Sequence, residues 1–287
     1  MNALAYLTGG ILPVLYTLAV CTLIERFAAL EHHSIAARLP GAMMNIVEVV
    51  GSAALSWPVG ELLRHSRIGS IFTIPLWRLL QPMGAAGYAI QILILVVTAD
   101  FLAYWQHRAE HRWFWPIHAV HHAPTELHAA NSIGHPAQIW FRLLFITIPL
   151  SLFQFDGPQE PTQAAFIMAL LAYYIHSPVD VHFGPLRKVL VDNRFHRIHH
   201  SLDERHFDKN FAICFSLWDR LFGTAYDPSP DEWPDVGLAN MPPPRSILDY
   251  LLLPLRFTGG NGRHSCEHEP DDGDGECLSC AASSPRS

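Results

Sequence analysis

The sequence carries little charge and lacks the motifs of several large protein classes. Only 16% of its 287 residues are Asp, Glu, Lys or Arg, and the basic residues form no stripe that would contact nucleic acid. The five cysteines form no disulfide framework, because two lie in apolar segments and three near the C-terminus. No glycine-rich dinucleotide fingerprint and no Cys-x-x-Cys-His haem motif occurs. These absences argue against a nucleic-acid-binding protein, a disulfide-stabilised secreted domain and a chain with its own nicotinamide or haem site.

Long apolar runs stand where charge is missing, and they predict a multi-pass integral membrane protein. The runs at 3–24 and 85–106 are each long enough to cross a hydrocarbon layer of about 30 Å. The first has neither the basic n-region nor the cleavage site of a signal peptide, so we expect a retained membrane helix. The runs at 137–155 and 163–175 predict two further spans. One segment between 43 and 80 is expected to cross as well, but the sequence does not decide which.

Histidine is abundant, and 13 of the 18 histidines lie between His107 and His206. Three clusters stand out, two in WQHRAEHRWFWPIHAVHH and one in DNRFHRIHH. Histidines three or four residues apart project from the same face of a helix. Crowded imidazoles beside an apolar segment are unfavourable unless something binds their lone pairs, and neutral imidazole is a good ligand for iron, zinc, copper or nickel. The clusters therefore predict a metal site rather than histidines that merely line a polar membrane interface.

Four residues outside these clusters are further candidates. The span at 163–175 delivers His176 to the same side of the membrane as the clusters. Asp100 is an ionisable group in an apolar run, and we predict that it accepts a hydrogen bond from a ligating histidine. Arg142 either extends to the lipid headgroups or holds an anionic substrate end. His135 lies in a polar loop, where it either approaches the site or is structural.

All the clusters fall on one predicted face of the membrane, and the loop at 156–162 falls on the other. Residues 178–263 carry ten of the 19 Lys and Arg residues, which marks the histidine-bearing face as cytoplasmic. The compact chain, and a C-terminus without a dilysine retrieval signal, favour a bacterial inner membrane.

The order of these motifs resembles the fatty acid hydroxylase/sterol desaturase superfamily of membrane-bound di-iron enzymes. HRAEH, HAVHH, a lone histidine after a span, HRIHHS, DKNFA and WDRLFGT follow one another within 100–226. The closing FDKNFAICFSLWDRLFGT is similar to the alkylglycerol monooxygenase-like branch. The resemblance implies an all-α protein with about four to five transmembrane helices and a cytosolic helical cap that encloses a dinuclear metal site.

The resemblance also implies a division of the chain and a set of site residues. It places a catalytic domain at 85–226, between a membrane region at 1–84 and a Pro-rich segment with an interfacial helix at 227–257. We expect an acidic, disordered tail at 258–287. By position, the implied metal ligands are His107, His111, His118, His121, His122, His176, His196, His199 and His200, with His182 as a further candidate. The implied residues around the ligands, besides Asp100, are Asp180, Asp203, Asp208 and Asn210. Where many members carry Arg-x-His-Pro, this chain has Ile-Gly-His-Pro and lacks the arginine.

The activity that the resemblance implies is O2-dependent oxidation of a lipid or sterol-like molecule. No side-chain base removes a proton from an unactivated aliphatic C–H bond, so a redox metal that activates O2 is required. We therefore expect two iron ions, O2 as co-substrate, a membrane lipid substrate and a separate redox partner as electron donor. Hydroxylation is favoured over desaturation. Two alternatives remain, a dizinc membrane hydrolase and a non-catalytic metal-binding membrane protein. The motifs do not determine the oligomeric state.

Overall fold

Helices account for most of the chain, as its apolar runs predict. The structure, a computed structural model, describes residues 3–65, 71–155, 161–239 and 241–257. The helices are α1 (Ala3–Ala28), α2 (Ile35–His65), α3 (Leu76–Leu80), α4 (Ala85–Trp113), α5 (Trp115–His122), α6 (Ile139–Arg142), α7 (Ile148–Ser151), α8 (Pro161–Ile175), α9 (Asn193–His199), α10 (Leu217–Leu221) and α11 (Ile247–Leu252). The coarse all-α prediction is confirmed. The described residues differ from an all-helical fold in one respect. They contain a parallel pair of three-residue strands, β1 (Phe72–Ile74) and β2 (Phe153–Phe155).

Two helices in the described part of the chain are long and apolar enough to cross a membrane. They are the segment Ile35–Val59 of α2 and the whole of α4. Between 43 and 80 the candidate span therefore lies within α2, because residues 72–80 form a short strand and a five-residue helix. Two such helices support membrane association but fall short of the four to five spans expected.

The inner face of α2 is polar and follows the loop after α5. Asn45 Nδ2 donates to the carbonyl oxygen of Ala130 (2.9 Å), and Glu48 Oε2 accepts from the backbone N–H of Gly134 (2.8 Å). Backbone groups in an apolar region must find partners within the protein. The polar residues of α2 supply those partners, so this helix supports the loop in addition to its apolar packing.

The run predicted as one span at 137–155 is irregular. It begins with a 3-10 turn at Pro136–Gln138, continues through α6, a π-helical turn at Leu143–Thr147 and α7, and ends in β2. Pro149 lies in the first turn of α7 and has no N–H to donate to the preceding turn. The wider π-helical turn accommodates this missing bond.

Two apolar clusters hold the histidine-bearing elements together. Tyr104 of α4, Ile175 of α8 and Phe195 of α9 are buried against Phe211. The second cluster packs Val120 of α5 against Met44 of α2 and against Tyr250 and Leu253 at the C-terminal end of the described chain. The predicted loop at 156–162 lies largely, and the predicted tail wholly, outside the described residues. The predicted domain boundaries stay predictions.

Candidate metal centre

Four helix ends meet at one place and carry the histidine clusters. His107 and His111 lie in the last two turns of α4, and His176 directly follows α8. Helix α5 starts with a proline in its first turn, where the missing N–H costs nothing. Helix α9 starts at the side chain of Asp192, which accepts from the backbone N–H of Phe195 (3.0 Å). These signals fix where the clusters begin.

The nine predicted histidine ligands form two groups, in each of which the ring nitrogens lie within 4.8 Å of one another. We call them the first and the second group. The first group contains five residues, His107, His111, His118, His122 and His199. The second group contains four residues, His121, His176, His196 and His200. Among the described residues His182 belongs to neither group.

The two His-x-x-His-His motifs divide their residues between the groups in opposite ways. In α5 the outer pair, His118 and His122, points to the first group, while His121 points to the second. At α9 the outer pair, His196 and His200, belongs to the second group, and His199 crosses to the first. Residues four apart share a helical face, and the residue between them is rotated away from it. Each helix therefore contributes to both groups.

The nitrogen separations fit ligands that surround one ion. Two nitrogens bound about 2.1 Å from an ion lie about 3.0 Å apart at 90° and about 3.4 Å apart at the tetrahedral angle. The observed Nε2–Nε2 separations are 3.1 Å for His107–His118, 3.2 Å for His111–His122, 3.3 Å for His176–His196 and 3.2 Å for His196–His200. Neutral imidazole nitrogens converging at this distance are a donor set for a transition metal.

Backbone carbonyls fix the orientation of four rings. In each case Nδ1 donates to a carbonyl oxygen, which leaves the Nε2 lone pair for a metal. The bonds are His107 to Phe211 (2.7 Å), His121 to Ile133 (2.9 Å), His176 to Ala172 (2.6 Å) and His199 to Lys209 (2.8 Å). His199 Nε2 is buried without a hydrogen-bond partner, as expected of an atom that binds a metal.

Two carboxylates orient ligands of the first group. His118 Nδ1 lies 2.7 Å from Glu110 Oε2, and His111 Nδ1 lies 3.2 Å from Asp208 Oδ1. Glu110 is buried and also accepts from Gln106 and Gln138 (2.8 and 3.1 Å). Glu110 was not predicted from the sequence, although it is the only acidic residue from His107 to His122. A carboxylate behind a ligand raises the basicity of that imidazole.

Burial keeps the histidines outside the membrane spans neutral. It lowers the pKa of His121 to about 3 and that of His176 to about 4, and neighbouring imidazoles add to the effect. The pKa values of His118, His122, His196, His199 and His200 are held well below the ordinary range for the same reasons. Neutral imidazole is the form that binds metal, so these rings need lose no proton at pH 7.

The motifs DKNFA and WDRLFGT hold the strip of backbone that faces the ligands. Asp219 accepts from the N–H groups of Phe211 and Ala212 (2.8 and 3.0 Å). Asn210 adopts a positive φ of 58°, and its side chain donates to the carbonyls of Phe195 and Tyr226 (2.8 and 2.9 Å). This strip carries the Lys209 and Phe211 carbonyls that accept from His199 and His107.

Asp100 hydrogen-bonds to the segment that continues this strip. Its observed partners differ from the predicted one. It accepts from the N–H groups of Cys214 and Phe215 (3.0 and 2.9 Å) and from the indole N–H of Trp218 (3.0 Å), rather than from a ligating histidine. Helical periodicity predicts that Asp100 lies on the same face as His107. In the fold, residues 214–218 donate the hydrogen bonds that its carboxylate accepts. Its support of the site is indirect, through the backbone.

Three other predicted residues lie away from the ligands. Asp180 is exposed and pairs with Arg194 (3.6 Å), and His182 is exposed. Asp203 is exposed and caps a 3-10 turn by accepting from the N–H of Arg205. The proposed role of these residues beside the ligands is wrong for the described geometry, because the chain becomes exposed at Asp180, after buried Val179, and again at Leu202, after buried Ser201.

Of the predicted substrate contacts, His135 has a structural role and Arg142 lies at the surface. His135 Nε2 donates to the carbonyl oxygen of Leu251 (3.3 Å), and its Nδ1 accepts from the N–H of Ala137 (3.1 Å). These two bonds engage both ring nitrogens. Arg142 pairs with Glu48 at 3.8 Å.

Comparison with known proteins finds sequence similarity in the region that carries the histidines. The fatty acid hydroxylase family model matches residues 92–224. The ornithine lipid hydroxylase OlsE of Rhizobium tropici is 31% identical over 174 residues, which cover 60% of this chain and 52% of that protein. Human alkylglycerol monooxygenase is 31% identical over 128 residues, or 44% of this chain and 28% of that protein. A very-long-chain aldehyde decarbonylase, GL1-6 of Oryza sativa subsp. indica, is 28% identical over 160 residues, or 51% of this chain and 24% of that protein.

The match therefore spans about half of one relative and about a quarter of the other two. No solved structure matches the chain significantly. The matched region holds every histidine of both groups. Residues 92–224 match the fatty acid hydroxylase family, and this chain is similar to ornithine lipid hydroxylase and alkylglycerol monooxygenase.

Proposed function

We propose that this chain is a membrane-bound di-iron enzyme that uses O2 to hydroxylate or desaturate a lipid or sterol-like substrate, with hydroxylation favoured. The observation that carries the proposal is the pair of histidine groups, with five and four converging ring nitrogens. The names of the related proteins describe lipid hydroxylation, alkylglycerol monooxygenation and aldehyde decarbonylation, and this shared lipid chemistry supports the substrate class.

The donor set favours iron over zinc. Zinc in proteins is almost always held by three or four protein ligands in tetrahedral geometry, whereas the first group offers five imidazoles. Five or six ligands suit iron, which accepts imidazole and prefers a higher coordination number. Two bound iron ions supply the O2 activation and electron transfer that no side chain of the protein can provide. A dizinc hydrolase fits the five-ligand group less well.

The protein's own residues would orient and shield the centre. The Nδ1 contacts with carbonyls and carboxylates hold six of the nine rings in the tautomer that presents Nε2 inward. The nine imidazoles are buried or half-buried, which excludes bulk water from the reacting atoms. The second group has four ligands against five in the first. It therefore leaves more of a bound ion's coordination sphere open to an exogenous ligand than the first group does.

We propose that the metal centre lies at the cytoplasmic surface of the membrane. Helix α4 carries His107 and His111 in its last turns, so the centre lies at one end of a helix long enough to span the membrane. Excess basic residues in the following region favour the cytoplasmic side. A separate redox partner would deliver electrons there, and the substrate would enter laterally from the bilayer, in our proposal that of a bacterial inner membrane.

An isotope experiment tests the reaction class. Membranes containing the full-length chain, a lipid extract and a chemical reductant are incubated under 18O2 or in H2 18O, and the lipids are analysed by mass spectrometry. Hydroxylation predicts one oxygen atom from 18O2 in the product, and desaturation predicts loss of two hydrogen atoms without oxygen gain. Incorporation from water under anaerobic conditions would instead identify a hydrolase. A His196→Ala variant in matched membranes is the control for background oxidation.

A further inference from the structure

A half-exposed guanidinium lies at the surface of the protein among exposed apolar side chains. Arg142 is the last residue of α6, and its side chain is 53% exposed. Its neighbours Trp140 and Leu144 are exposed apolar residues. The π-helical turn Leu143–Thr147 begins immediately after it, and irregular turns of this kind are frequent at functional sites. A cation in such a position is costly unless an anion meets it.

The guanidinium is close to the polar side chains that reach a metal ligand. Arg142 lies one helical turn after Gln138, whose Nε2 donates to Glu110 Oε2 (3.1 Å). Glu110 in turn accepts from Nδ1 of His118. The charge of Arg142 also acts on the Glu110 carboxylate. The charge of the guanidinium therefore reaches the carboxylate that contacts a ligand of the first group.

The ion pair between Glu48 and Arg142 is long, because the Glu48 carboxylate is hydrogen-bonded to the loop after α5. The Glu48 carboxylate accepts from the N–H of Gly134 at 2.8 Å, whereas its ion pair with Arg142 is 3.8 Å long. A Cβ at Gly134 would contact Gln138 Oε1 and lie 3.3 Å from Glu48 Oε1, so the loop passes close to both side chains. Since the carboxylate is fixed to the loop, most donors of the guanidinium remain available to a second anion.

We propose that Arg142 binds the anionic group at the polar end of the lipid substrate, and that the oxidised carbon lies near that end. This inference rests on the proposed function and adds the substrate class and the site of oxidation. The planar fork of an arginine matches a phosphate or a carboxylate bidentately. A headgroup held beside α6 brings the carbons next to it, rather than the far end of the acyl chain, within reach of the metal centre.

The alternative for an arginine in this position is a side chain that merely extends to the membrane surface. Lysine does this as well as arginine, but it cannot form the bidentate contact. An arginine-to-lysine exchange therefore separates the two roles.

The test is lipid retention by the full-length, iron-loaded protein in detergent, measured by native mass spectrometry. The probes are dioleoylphosphatidate, oleate and uncharged dioleoylglycerol. The variants are Arg142→Gln, Arg142→Lys and, as a matched control, Arg256→Gln. Arg256 is also about half exposed and pairs with one carboxylate, that of Asp249, at 3.4 Å.

The wild-type protein should retain phosphatidate or oleate in preference to dioleoylglycerol. Which of the two is retained more strongly identifies phosphate or carboxylate as the ligand. Arg142→Gln should lower anionic retention by about tenfold, the effect of one charged hydrogen-bonded contact, and Arg142→Lys should recover little of it. Arg256→Gln should match wild type. Glu48→Gln removes a competing negative charge and should strengthen retention.

Equal retention by wild type and Arg142→Gln would overturn the proposal, as would full recovery by Arg142→Lys. Iron content is measured on the same samples. Absence of iron from the wild type contradicts the proposed function, whereas iron-loaded protein with unchanged lipid retention in Arg142→Gln contradicts the headgroup site alone. If Arg142→Gln does not fold, the Glu48→Gln result decides, and weaker retention there overturns the proposal.

Discussion

The imidazole rings of His122 and His200 stack with their centroids 4.5 Å apart and their planes inclined by 30°, although the two residues belong to different groups. Each is the last histidine of a His-x-x-His-His motif. Their contact is where the first and second groups meet, so metal ions held by the two groups would be neighbours. This relationship makes the arrangement a candidate dinuclear centre rather than two separate sites.

The two groups should differ in how they tolerate the loss of one ligand. His196→Ala leaves three imidazoles in the second group, and His199→Ala leaves four in the first. We expect His196→Ala to reduce the iron content to about one ion per chain, and His199→Ala to reduce it less, because a ligand lost from a smaller set costs more affinity. Elemental analysis of detergent-purified protein measures both. Equal losses would contradict the assignment of His199 to the larger group.

Replacing Glu110 should weaken metal binding without unfolding the protein. Glu110→Gln removes the carboxylate charge behind His118, and such changes lower metal affinity by about 10–100-fold. Competition with a graded series of chelators measures the loss. Asp208→Asn is the matched control, because the Asp208 side chain is 79% exposed and water weakens its effect on His111. If Asp208→Asn lowered metal affinity as much as Glu110→Gln, burial of the carboxylate would not determine its effect on the ligand.

Asp100→Asn should destabilise the protein rather than alter one ligand. The carboxylate accepts three hydrogen bonds from residues 214–218, and the amide would keep fewer of them. Loss of charged, buried hydrogen bonds costs about 2–4 kcal/mol, visible as a lower Tm in detergent. Exposed Asp203→Asn serves as control and should leave the Tm unchanged. A wild-type Tm with selective loss of one iron would instead support the direct contact first predicted for Asp100.

The iron-free protein should lose stability as the pH falls below about 6.5, the ordinary pKa of histidine. Below that value the unfolded chain binds protons that the folded chain does not, because burial holds the pKa of His121 at about 3 and that of His176 at about 4. Stability therefore rises with pH across the window from about 4 to 6.5. Thermal unfolding of iron-free protein over this range tests the sign. The His121→Asn/His176→Asn variant should show a shallower slope, and an unchanged slope would mean that other groups dominate.

Side chains positioned by spacing along one helix could be predicted from the sequence, whereas contacts between distant segments could not. Histidines three and four residues apart had to share a helical face, so spacing singled out the eight histidines of the three clusters. His176 and the complete set of nine followed from the family resemblance. The partner of Asp100 could not, because residues 214–218 follow it by more than a hundred positions and approach only in the fold. Glu110 was overlooked because a charged residue between two histidines of one helix resembles a solvated position.

Membrane spans were predicted less well, for a physical reason. The run at 137–155 has the composition of a span, but a π-helical turn and Pro149 interrupt its regular bonding. In α2 the polar residues Asn45 and Glu48 lowered the apparent strength of the span, although they serve the backbone of the adjoining loop. Hydropathy measures the polarity of a side chain, but it does not show whether that side chain will find a hydrogen-bond partner within the protein.

The most direct test of the di-iron proposal is the metal content of the full-length protein, purified in detergent after iron-replete expression. The account predicts two iron ions per chain, one for each histidine group. The variant His121→Ala/His199→Ala, which removes one ligand from each group, should lose most of both. Zinc is measured in parallel, after apo-protein has been reloaded with each metal separately. A folded wild-type protein that holds no stoichiometric metal after either reloading would contradict the account.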